Sequence, residues 1–142
     1  MNVGQILSQK GGEIIAMEQG CTVLEVAKLL GERRIGAIPI TDKGKLCGIM
    51  SERDVVRGIA IRGGAALADD VSSLMTRAVI TCTKDDTVYD LMKMMTERRI
   101  RHVPVLDGSK LVGMISIGDV VKHRMEEAAR ENEALKDYIG QA

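Results

Sequence analysis

The chain is poor in aromatic residues: phenylalanine and tryptophan are absent, and only two tyrosines occur among its 142 residues. A binding slot built from stacked phenylalanine or tryptophan rings is therefore excluded. An excess of charge of one sign is also missing, since 20 basic residues balance 20 acidic ones. The sequence thus offers no global electrostatic field that would attract nucleic acid or an anionic membrane.

Long apolar runs and paired cysteines are missing as well. No stretch approaches the roughly 18 apolar residues of a membrane span, and the polar start MNVGQILSQKGGE lacks a signal-peptide core. Cys21, Cys47 and Cys82 are scattered without CxxC spacing, which argues against a disulfide or zinc framework and favours a reducing compartment. We predict a cytoplasmic protein without a metal site, whose cysteines are small buried apolar residues.

What the sequence does contain is an internal repeat at an offset of 65 positions. The residues shared at this offset include, in the first copy, Thr22, Val23, Glu32 to Ile35, Pro39, Asp42, Lys45, Leu46, Gly48, Ser51, Asp54, Val55 and Val56. A duplication explains this register. Either half alone would bury too little apolar surface for a secure core, so we expect the two repeats to fold as one body.

Each repeat predicts the order strand, helix, strand, strand, helix, so the chain should be an α+β (α/β) protein. The first helix of each repeat begins at a capping-box threonine, Thr22 or Thr87, and carries an apolar stripe. The strands are predicted at 14–16, 36–40 and 46–50 in the first repeat and at 79–81, 101–105 and 111–115 in the second. The middle strands contain Pro39 and Pro104 and should be edge-like or locally unpaired, because proline removes a ladder hydrogen bond.

The repeats divide the chain into three parts. We assign residues 1–66 to the first repeat with its N-terminal lead and linker, 67–122 to the second repeat, and 123–142 to a helical tail. The lead is predicted to be helical and to break at Gly11-Gly12. Asp70 should cap a short helix in the linker that runs through Met75.

The tail is predicted to be helical from Asp119 to about Ile139. Its apolar positions follow heptad spacing at Val121, Met125, Ala128, Asn132, Leu135 and Ile139. The single polar member, Asn132, stands where an a-position asparagine would set the register of a coiled coil. Two interpretations stay open: this stripe pairs with a partner helix, or it packs on its own domain.

The motif with the most chemical content is Ser-x-x-Asp after an apolar strand. It occurs as Ser51 with Asp54 and again as Ser116 with Asp119. Free backbone N–H groups at a helix start favour phosphate, and a carboxylate one turn in accepts hydrogen bonds from two adjacent ribose hydroxyls. The same spacing also makes a helix cap, and a duplication copies caps as faithfully as sites. Both interpretations stay open from the motif alone.

The paired motifs Ile-Pro-Ile then GIMSERD, and Val-Pro-Val then GMISIGD, resemble a tandem pair of cystathionine-β-synthase (CBS) domains, the Bateman module. The resemblance covers roughly residues 3–122, and the chain with its helical tail resembles small stand-alone bacterial two-CBS proteins. It implies two β-α-β-β-α repeats packed with pseudo-two-fold symmetry, plus a C-terminal helix. It further implies two clefts between the repeats that bind adenosine-containing ligands such as AMP, ADP, ATP or NAD(H).

Carried over by the resemblance, Asp54 and Asp119 would hold ribose hydroxyls, and Ser51 and Ser116 would meet ribose or phosphate. The base slots would be built crosswise. For the Asp119 cleft the slot would come from Gly11, Ala16, Ile35, Gly36 and Met114; for the Asp54 cleft, from Ile49, Thr76, Thr81 and Ile100.

The two clefts should differ, because Arg101-His102 stands where the first repeat has Gly36-Ala37. Arg101 suits a phosphate, since its guanidinium is always charged and donates two parallel hydrogen bonds. His102 either meets phosphate or fills space beside the strand proline. A strongly held polyphosphate is correspondingly less expected beside Gly36.

The functional hypothesis is a non-catalytic regulatory module, a homodimer that binds an adenine nucleotide and presents its surfaces to an unidentified protein partner. A second hypothesis is a structural dimerisation or docking module without a physiological nucleotide. A third, an enzyme using a bound dinucleotide, has little support. No GxGxxG motif follows a strand, and His102 and His123 lack identifiable acid–base partners in the sequence.

Overall fold

The computed structural model describes residues 1–11 and 13–140. Two short 3₁₀ helices, Gly63–Ala68 and Val71–Ser73, connect the two halves. The regular elements are, in chain order, α1 (Val3–Lys10), β1 (Met17–Glu18), α2 (Val23–Arg33), β2 (Ala37–Asp42), β3 (Lys45–Ser51), α3 (Glu52–Arg62), α4 (Val88–Arg98), β4 (His102–Asp107), β5 (Lys110–Ser116) and α5 (Ile117–Gly140). These elements confirm the predicted mixed class with two repeats and a C-terminal helix.

One sheet of order β1-β2-β3-β5-β4 joins the repeats. The hairpins β2-β3 and β4-β5 have the same register, with Pro39 opposite Ile49 and Pro104 opposite Met114. The hairpins meet at the single pair Lys45 and Lys110. As the prolines predicted, β4 ends the sheet, and β1 pairs with β2 only beyond Pro39.

The predicted first strands are wrong in position. In the first repeat the strand is Met17–Glu18, because Ile14 is 44% exposed and the chain joins the sheet only three residues later. In the second repeat, residues 79–81 form no strand. Cys82, the counterpart of Met17, makes only an isolated parallel bridge to Val105.

Local capping chemistry starts the helices where the sequence predicted. The hydroxyls of Thr22 and Thr87 accept hydrogen bonds from the N–H groups of Glu25 and Asp90. The reciprocal bond of a capping box is described at Ser51, which begins α3. Asp70 caps the linker helix through Ser72 N–H, as predicted, but this helix is a 3₁₀ turn that ends at Ser73 and does not reach Met75.

Each repeat completes its core with a segment that precedes the other repeat. α1 packs into the second repeat, where Val3 and Ile6 belong to the same buried cluster as Val103 and Ile115. The linker segment 71–75 packs into the first repeat through Val71 and Met75. This exchange makes the two halves one folding body, because neither core is complete without residues from outside its own repeat.

The start of each exchanged segment is held by backbone hydrogen bonds. Val3 N–H donates to Asp86 O at 2.9 Å, and Val71 N–H donates to Cys21 O at 2.9 Å. The predicted break after the lead is present at Gly11, whose φ is +96°. Gly12, the second residue of that predicted break, lies outside the described residues.

The tail helix begins at Ile117, two residues before the predicted start, and continues to Gly140. The apolar residues of its heptad stripe are exposed: Val121 is 50% exposed, Met125 68% and Ile139 64%. The predicted tail residues 141 and 142 lie outside the described part. No helix in that described part is both long and apolar enough to cross a membrane.

Candidate functional site

A cavity of about 530 Å³ opens between the repeats beside the start of α5. Both repeats and α1 line it, so the cavity exists only because the halves are packed together. Seven of the residues that the sequence assigned to the Asp119 cleft line this cavity: Gly11, Ile35, Gly36, His102, Met114, Ser116 and Asp119.

Asp119 is fixed at the first turn of α5 by Ser116, the last residue of β5. Ser116 N–H donates to Asp119 Oδ2 at 2.8 Å, and Asp119 N–H donates to Ser116 Oγ at 3.1 Å. The motif is therefore a working helix cap, as one interpretation predicted. It also leaves the Asp119 side chain 21% exposed at the wall of the cavity, so the second interpretation is not replaced by the first.

Lys10, at the end of α1, crosses the cleft to reach Asp119. Its Nζ lies 2.8 Å from Asp119 Oδ2 and donates to Met114 O at 2.9 Å. Burial of the Asp119 carboxyl opposes its ionisation, but hydrogen bonds from Lys10 and Ser116 outweigh burial and lower its pKa. Asp119 is therefore ionised at neutral pH and already holds a cation.

His102 faces the first repeat across the cleft. A Cβ built on Gly36 would lie 3.0 Å from His102 Cε1 and 2.9 Å from Glu52 Oε1, so Gly36 allows both side chains to approach. Burial lowers the pKa of His102, and the charge of Lys10 lowers it further against the opposite effect of Asp119. The imidazole is consequently neutral at pH 7.

Two residues assigned to this cleft do not line the cavity. Ala16 is half-buried in the loop before β1, because the strand begins later than the sequence predicted. Arg101 is exposed at the start of β4, and its carbonyl accepts a hydrogen bond from Ile117 N–H at 2.8 Å. The prediction for Arg101 depended only on the chemistry of its guanidinium, and the sequence does not determine where that side chain points.

The Asp54 cleft differs from its counterpart, as predicted, but the reason lies in α3. Asp54 Oδ2 accepts hydrogen bonds from Ser51 N–H and Oγ at 2.9 and 3.0 Å. Asp54 Oδ1 accepts a hydrogen bond from Arg57 Nη2 at 2.7 Å. The Asp54 side chain is only 7% exposed. Both carboxylate oxygens are thus occupied by residues of the same helix end.

The other residues assigned to the Asp54 cleft mostly take part in backbone contacts. Ile49 and Thr76 exchange two backbone hydrogen bonds of 2.9 Å, which join the linker to β3. Thr81 is half-buried next to the Cys82 bridge. Ile100 packs against the core of the second repeat. These contacts explain the fold around Asp54 without requiring a ligand.

His123 does have the acid–base partner that the sequence did not identify. It is buried on α5, and its Nε2 lies 3.1 Å from Glu127 Oε2. The cysteine prediction holds for Cys82, which is buried and whose pKa burial raises to about 12. Cys21 and Cys47 are only half-buried, so the prediction of buried cysteines is wrong for these two residues.

Sequence reasoning missed several cavity residues, chiefly on α1. They include Leu7, Ser8, Lys10, Arg34 and Lys84. A signal for α1 exists, but in a different register from the main repeat. Thr22 and Thr87 bridge to Asp70 and Asn2, which are 68 positions apart instead of 65. An alignment with a three-residue shift would have placed Leu7 opposite Met75.

Comparison with known proteins gives a family whose model matches this chain in two places. The family model of the CBS domain matches residues 3–61 and 71–126. Among curated proteins, the Arabidopsis thaliana protein "CBS domain-containing protein CBSX3, mitochondrial" is 36% identical over 123 residues, or 83% of this chain. The chain spans 60% of the length of that relative.

Solved structures have the same fold. The CBS-domain containing protein ATU1752 from Agrobacterium tumefaciens is 41% identical, with a TM-score of 0.84 over 87% of this chain and 99% of its own. The CBS domain pair of protein MJ0100 was solved in complex with 5′-methylthioadenosine and S-adenosyl-L-methionine. It is 28% identical, with a TM-score of 0.80 over 89% of this chain and 98% of its own.

Proposed function

The chain belongs to the CBS domain family, with two copies of the domain, and we propose that it is a regulatory module that binds an adenosine-containing nucleotide without chemical turnover. The observation that carries the proposal is the cavity of about 530 Å³ between the repeats, with an ionised carboxylate at its wall. A cavity of this size lies in the range of small-molecule sites. AMP, ADP, ATP and NAD(H) are the candidate ligands.

Within this proposal each part of the cleft has a role. The Asp119 carboxylate accepts hydrogen bonds from the ribose hydroxyls, and the N-terminus of α5 at Ser116 favours an anionic group. Ile35 and Met114 enclose the base between aliphatic side chains, while Gly11 and Gly36 offer backbone edges. His102 stands beside Gly36 as a neutral hydrogen-bonding group.

The ligands of protein MJ0100 support the adenosine class, since that CBS domain pair was solved with two adenosine derivatives. The enzyme hypothesis gains little from the new His123 pair. His123 is 3% exposed and pairs with Glu127 on its own helix. A general base needs to reach a substrate proton directly or through one water, and a buried intrahelical pair does not offer that.

The test is thermal unfolding of the purified chain with AMP, ADP, ATP, NAD and NADH. A ligand at 100 times its Kd stabilises the folded protein by about 2.7 kcal/mol, which raises the Tm by several degrees for a chain of this size. We expect Asp119→Asn to abolish this rise, because the amide cannot accept both ribose hydroxyl hydrogen bonds as a carboxylate does.

Asp54→Asn is the matched control, because Asp54 occupies the equivalent motif but its carboxylate is paired with Arg57. It should leave the ligand-induced rise in Tm intact. If none of the five nucleotides raises the Tm, nucleotide binding in this cleft is refuted. The structural docking module then becomes the better description. Equal loss of the effect in both variants would refute the assignment to the Asp119 cleft.

A homodimer is the second part of the proposal, and the exposed seam of α5 favours it. Val121, Met125, Leu135 and Ile139 are each at least 50% exposed along one stripe. In a parallel pair of tails, Asn132 would face its own copy, and Glu131 would lie opposite Lys136 of the second copy. Sedimentation analysis should give a dimer that Leu135→Glu weakens. A monomeric wild type at high concentration would refute it.

A further inference from the structure

We propose that Lys10 makes the Asp119 cleft selective for adenosine ligands that carry an anionic group, such as a phosphate, over neutral or cationic ones. In this inference Lys10 exchanges its partner: it leaves the carboxylate when the ribose arrives and pairs with the anionic group of the ligand. The inference rests on the proposed function, because it concerns the ligand class of the same cleft.

The first step is competition for one carboxylate. Lys10 Nζ lies 2.8 Å from Asp119 Oδ2, and the same oxygen accepts the Ser116 N–H. Ribose hydroxyls that bind Asp119 must therefore displace the ammonium or share the carboxylate with it. A ligand that displaces the ammonium and offers it no other partner binds at the expense of this ion pair.

The second step is the fate of the displaced ammonium. Lys10 also donates to Met114 O at 2.9 Å, so its charge is held inside the cleft wall by a neutral carbonyl. Its side chain is 43% exposed, and its flexible stem can therefore move within the mouth of the cavity. An anionic group on the ligand restores the lost charge pairing, whereas a neutral ligand does not and a cationic one opposes it.

The charge around the cavity also favours an anionic ligand. Arg34 and Lys84 add positive charge to the lining, and the acidic lining residue Glu13 lies 3.2 Å from Arg33. His102 adds no charge of its own near neutral pH, since burial and Lys10 lower its pKa. Once the ribose occupies Asp119, Lys10, Arg34 and Lys84 remain to attract an anion.

The two copies of the motif show that this arrangement is not inherited from the cap. Asp54 receives its cation, Arg57, from three residues along the same helix. Asp119 receives its cation from α1, 109 positions away. Lys10 can therefore leave Asp119 without unwinding α5, because the cap bonds of Ser116 do not involve it.

The experiment is isothermal titration calorimetry of the full chain with AMP, adenosine and 5′-amino-5′-deoxyadenosine, whose 5′ amine is cationic and which carries no anionic group. For the wild type we expect AMP to bind at least tenfold more tightly than adenosine, and 5′-amino-5′-deoxyadenosine to bind no more tightly than adenosine. In Lys10→Met, AMP should bind about tenfold more weakly, because one charge-assisted contact is lost. Adenosine should bind several-fold more tightly, because the carboxylate no longer has a competitor.

The opposite signs separate the proposed exchange from a structural role of Lys10. The matched control is Lys84→Met, which removes a second lysine of the cavity lining that does not bind Asp119. It should weaken AMP binding without tightening adenosine binding. Lys10→Arg keeps the charge and should keep the preference for AMP, and the Tm of each variant reports whether it is folded.

Each result has a distinct meaning. Equal wild-type affinities for AMP, adenosine and 5′-amino-5′-deoxyadenosine would overturn the inference while the proposed function stands. Parallel weakening of AMP and adenosine in Lys10→Met would overturn it too, because Lys10 would then only hold α1 in place. Absence of binding by all three compounds would overturn both the inference and the proposed function.

Discussion

Gly113→Ala tests whether α1 belongs to the second repeat as the structure describes. Gly113 lies on β5 opposite Val105, and α1 passes directly over it. A Cβ built on Gly113 would lie 2.7 Å from Leu7 Cδ2 and 3.3 Å from Leu7 Cδ1. Real Cβ atoms essentially never approach a heavy atom within 3.0 Å, so either Leu7 or the strand must move.

The size of the effect follows from two opposing contributions. Overpacking a close contact costs about 1 to 3 kcal/mol. The strain falls on the two Leu7 methyl carbons, since Leu7 Cγ at 3.6 Å is in ordinary van der Waals contact. Replacing a strand glycine by alanine recovers roughly 0.5 to 1 kcal/mol of chain entropy. The midpoints of these two ranges leave an expected net loss of about 1.3 kcal/mol, or about 4 °C in Tm.

The assay is reversible urea unfolding together with thermal unfolding. Gly31→Ala is the control, because Gly31 lies on α2 with nothing within 4 Å of an added Cβ. It should stabilise the protein by up to about 1 kcal/mol, since alanine favours a helix more than glycine does. The same exchange is thus expected to have opposite signs at the two positions.

A double variant locates the contact. Leu7→Ala removes the atoms that the new methyl group meets, so Gly113→Ala should cost at least about 1 kcal/mol less in that background. An unchanged or raised stability for Gly113→Ala alone would refute the described packing of α1 on β5. Full additivity of the two substitutions would show that Leu7 is not the residue in contact.

Three further predictions follow from other parts of the molecule. Val3→Ala and Val71→Ala should each cost about 2 kcal/mol in urea unfolding, because each side chain is fully buried in the core of the repeat it crosses to; a loss below about 0.5 kcal/mol in either would contradict the exchange. The pKa of His102 is lower in the folded protein than in the unfolded chain, where it is about 6.5, so the unfolded chain takes up a proton more readily. The contribution of the neutral imidazole to folding stability is therefore complete above about pH 6.5 and is lost as the pH falls toward the pKa of the folded state. The Tm of the wild type should therefore fall more steeply between pH 7.5 and 5 than that of His102→Gln, and equal slopes would count against the buried neutral imidazole. Cys82, with its pKa near 12, should react with iodoacetamide last of the three cysteines in the native protein, and faster labelling of Cys82 than of Cys21 and Cys47 would show that the second repeat opens readily.

Features that depend on near neighbours in the chain were predictable. The hairpins, the helix starts at Thr22 and Thr87 and the Ser116–Asp119 cap join residues only a few positions apart. Their chemistry is therefore readable from spacing alone. The limits on pairing at Pro39 and Pro104 followed as well, because the absent N–H leaves the strand paired on only one side at that position.

The candidate site was predictable in part. Ser116, Asp119 and the crosswise residues Ile35, Gly36 and Met114 do line one cavity. Arg101 does not, because charge alone says nothing about direction on a strand end. The difference between the two clefts was expected from Arg101 and His102. In the structure the two motifs differ also at Asp54, whose carboxylate pairs with Arg57 of the same helix.

The sequence by itself determined the duplication, the element types and the two Ser-x-x-Asp helix starts, because these are set by periodicity and by hydrogen bonds within a few residues. Only the tertiary structure decided which core each of the two exchanged segments completes. Both segments, 3–7 and 71–75, carry an apolar face that either repeat could bury, so local pattern does not choose between them. The choice was made by long-range packing, with Leu7 against Gly113 and Met75 against Gly48. That packing also brings Lys10 to Asp119.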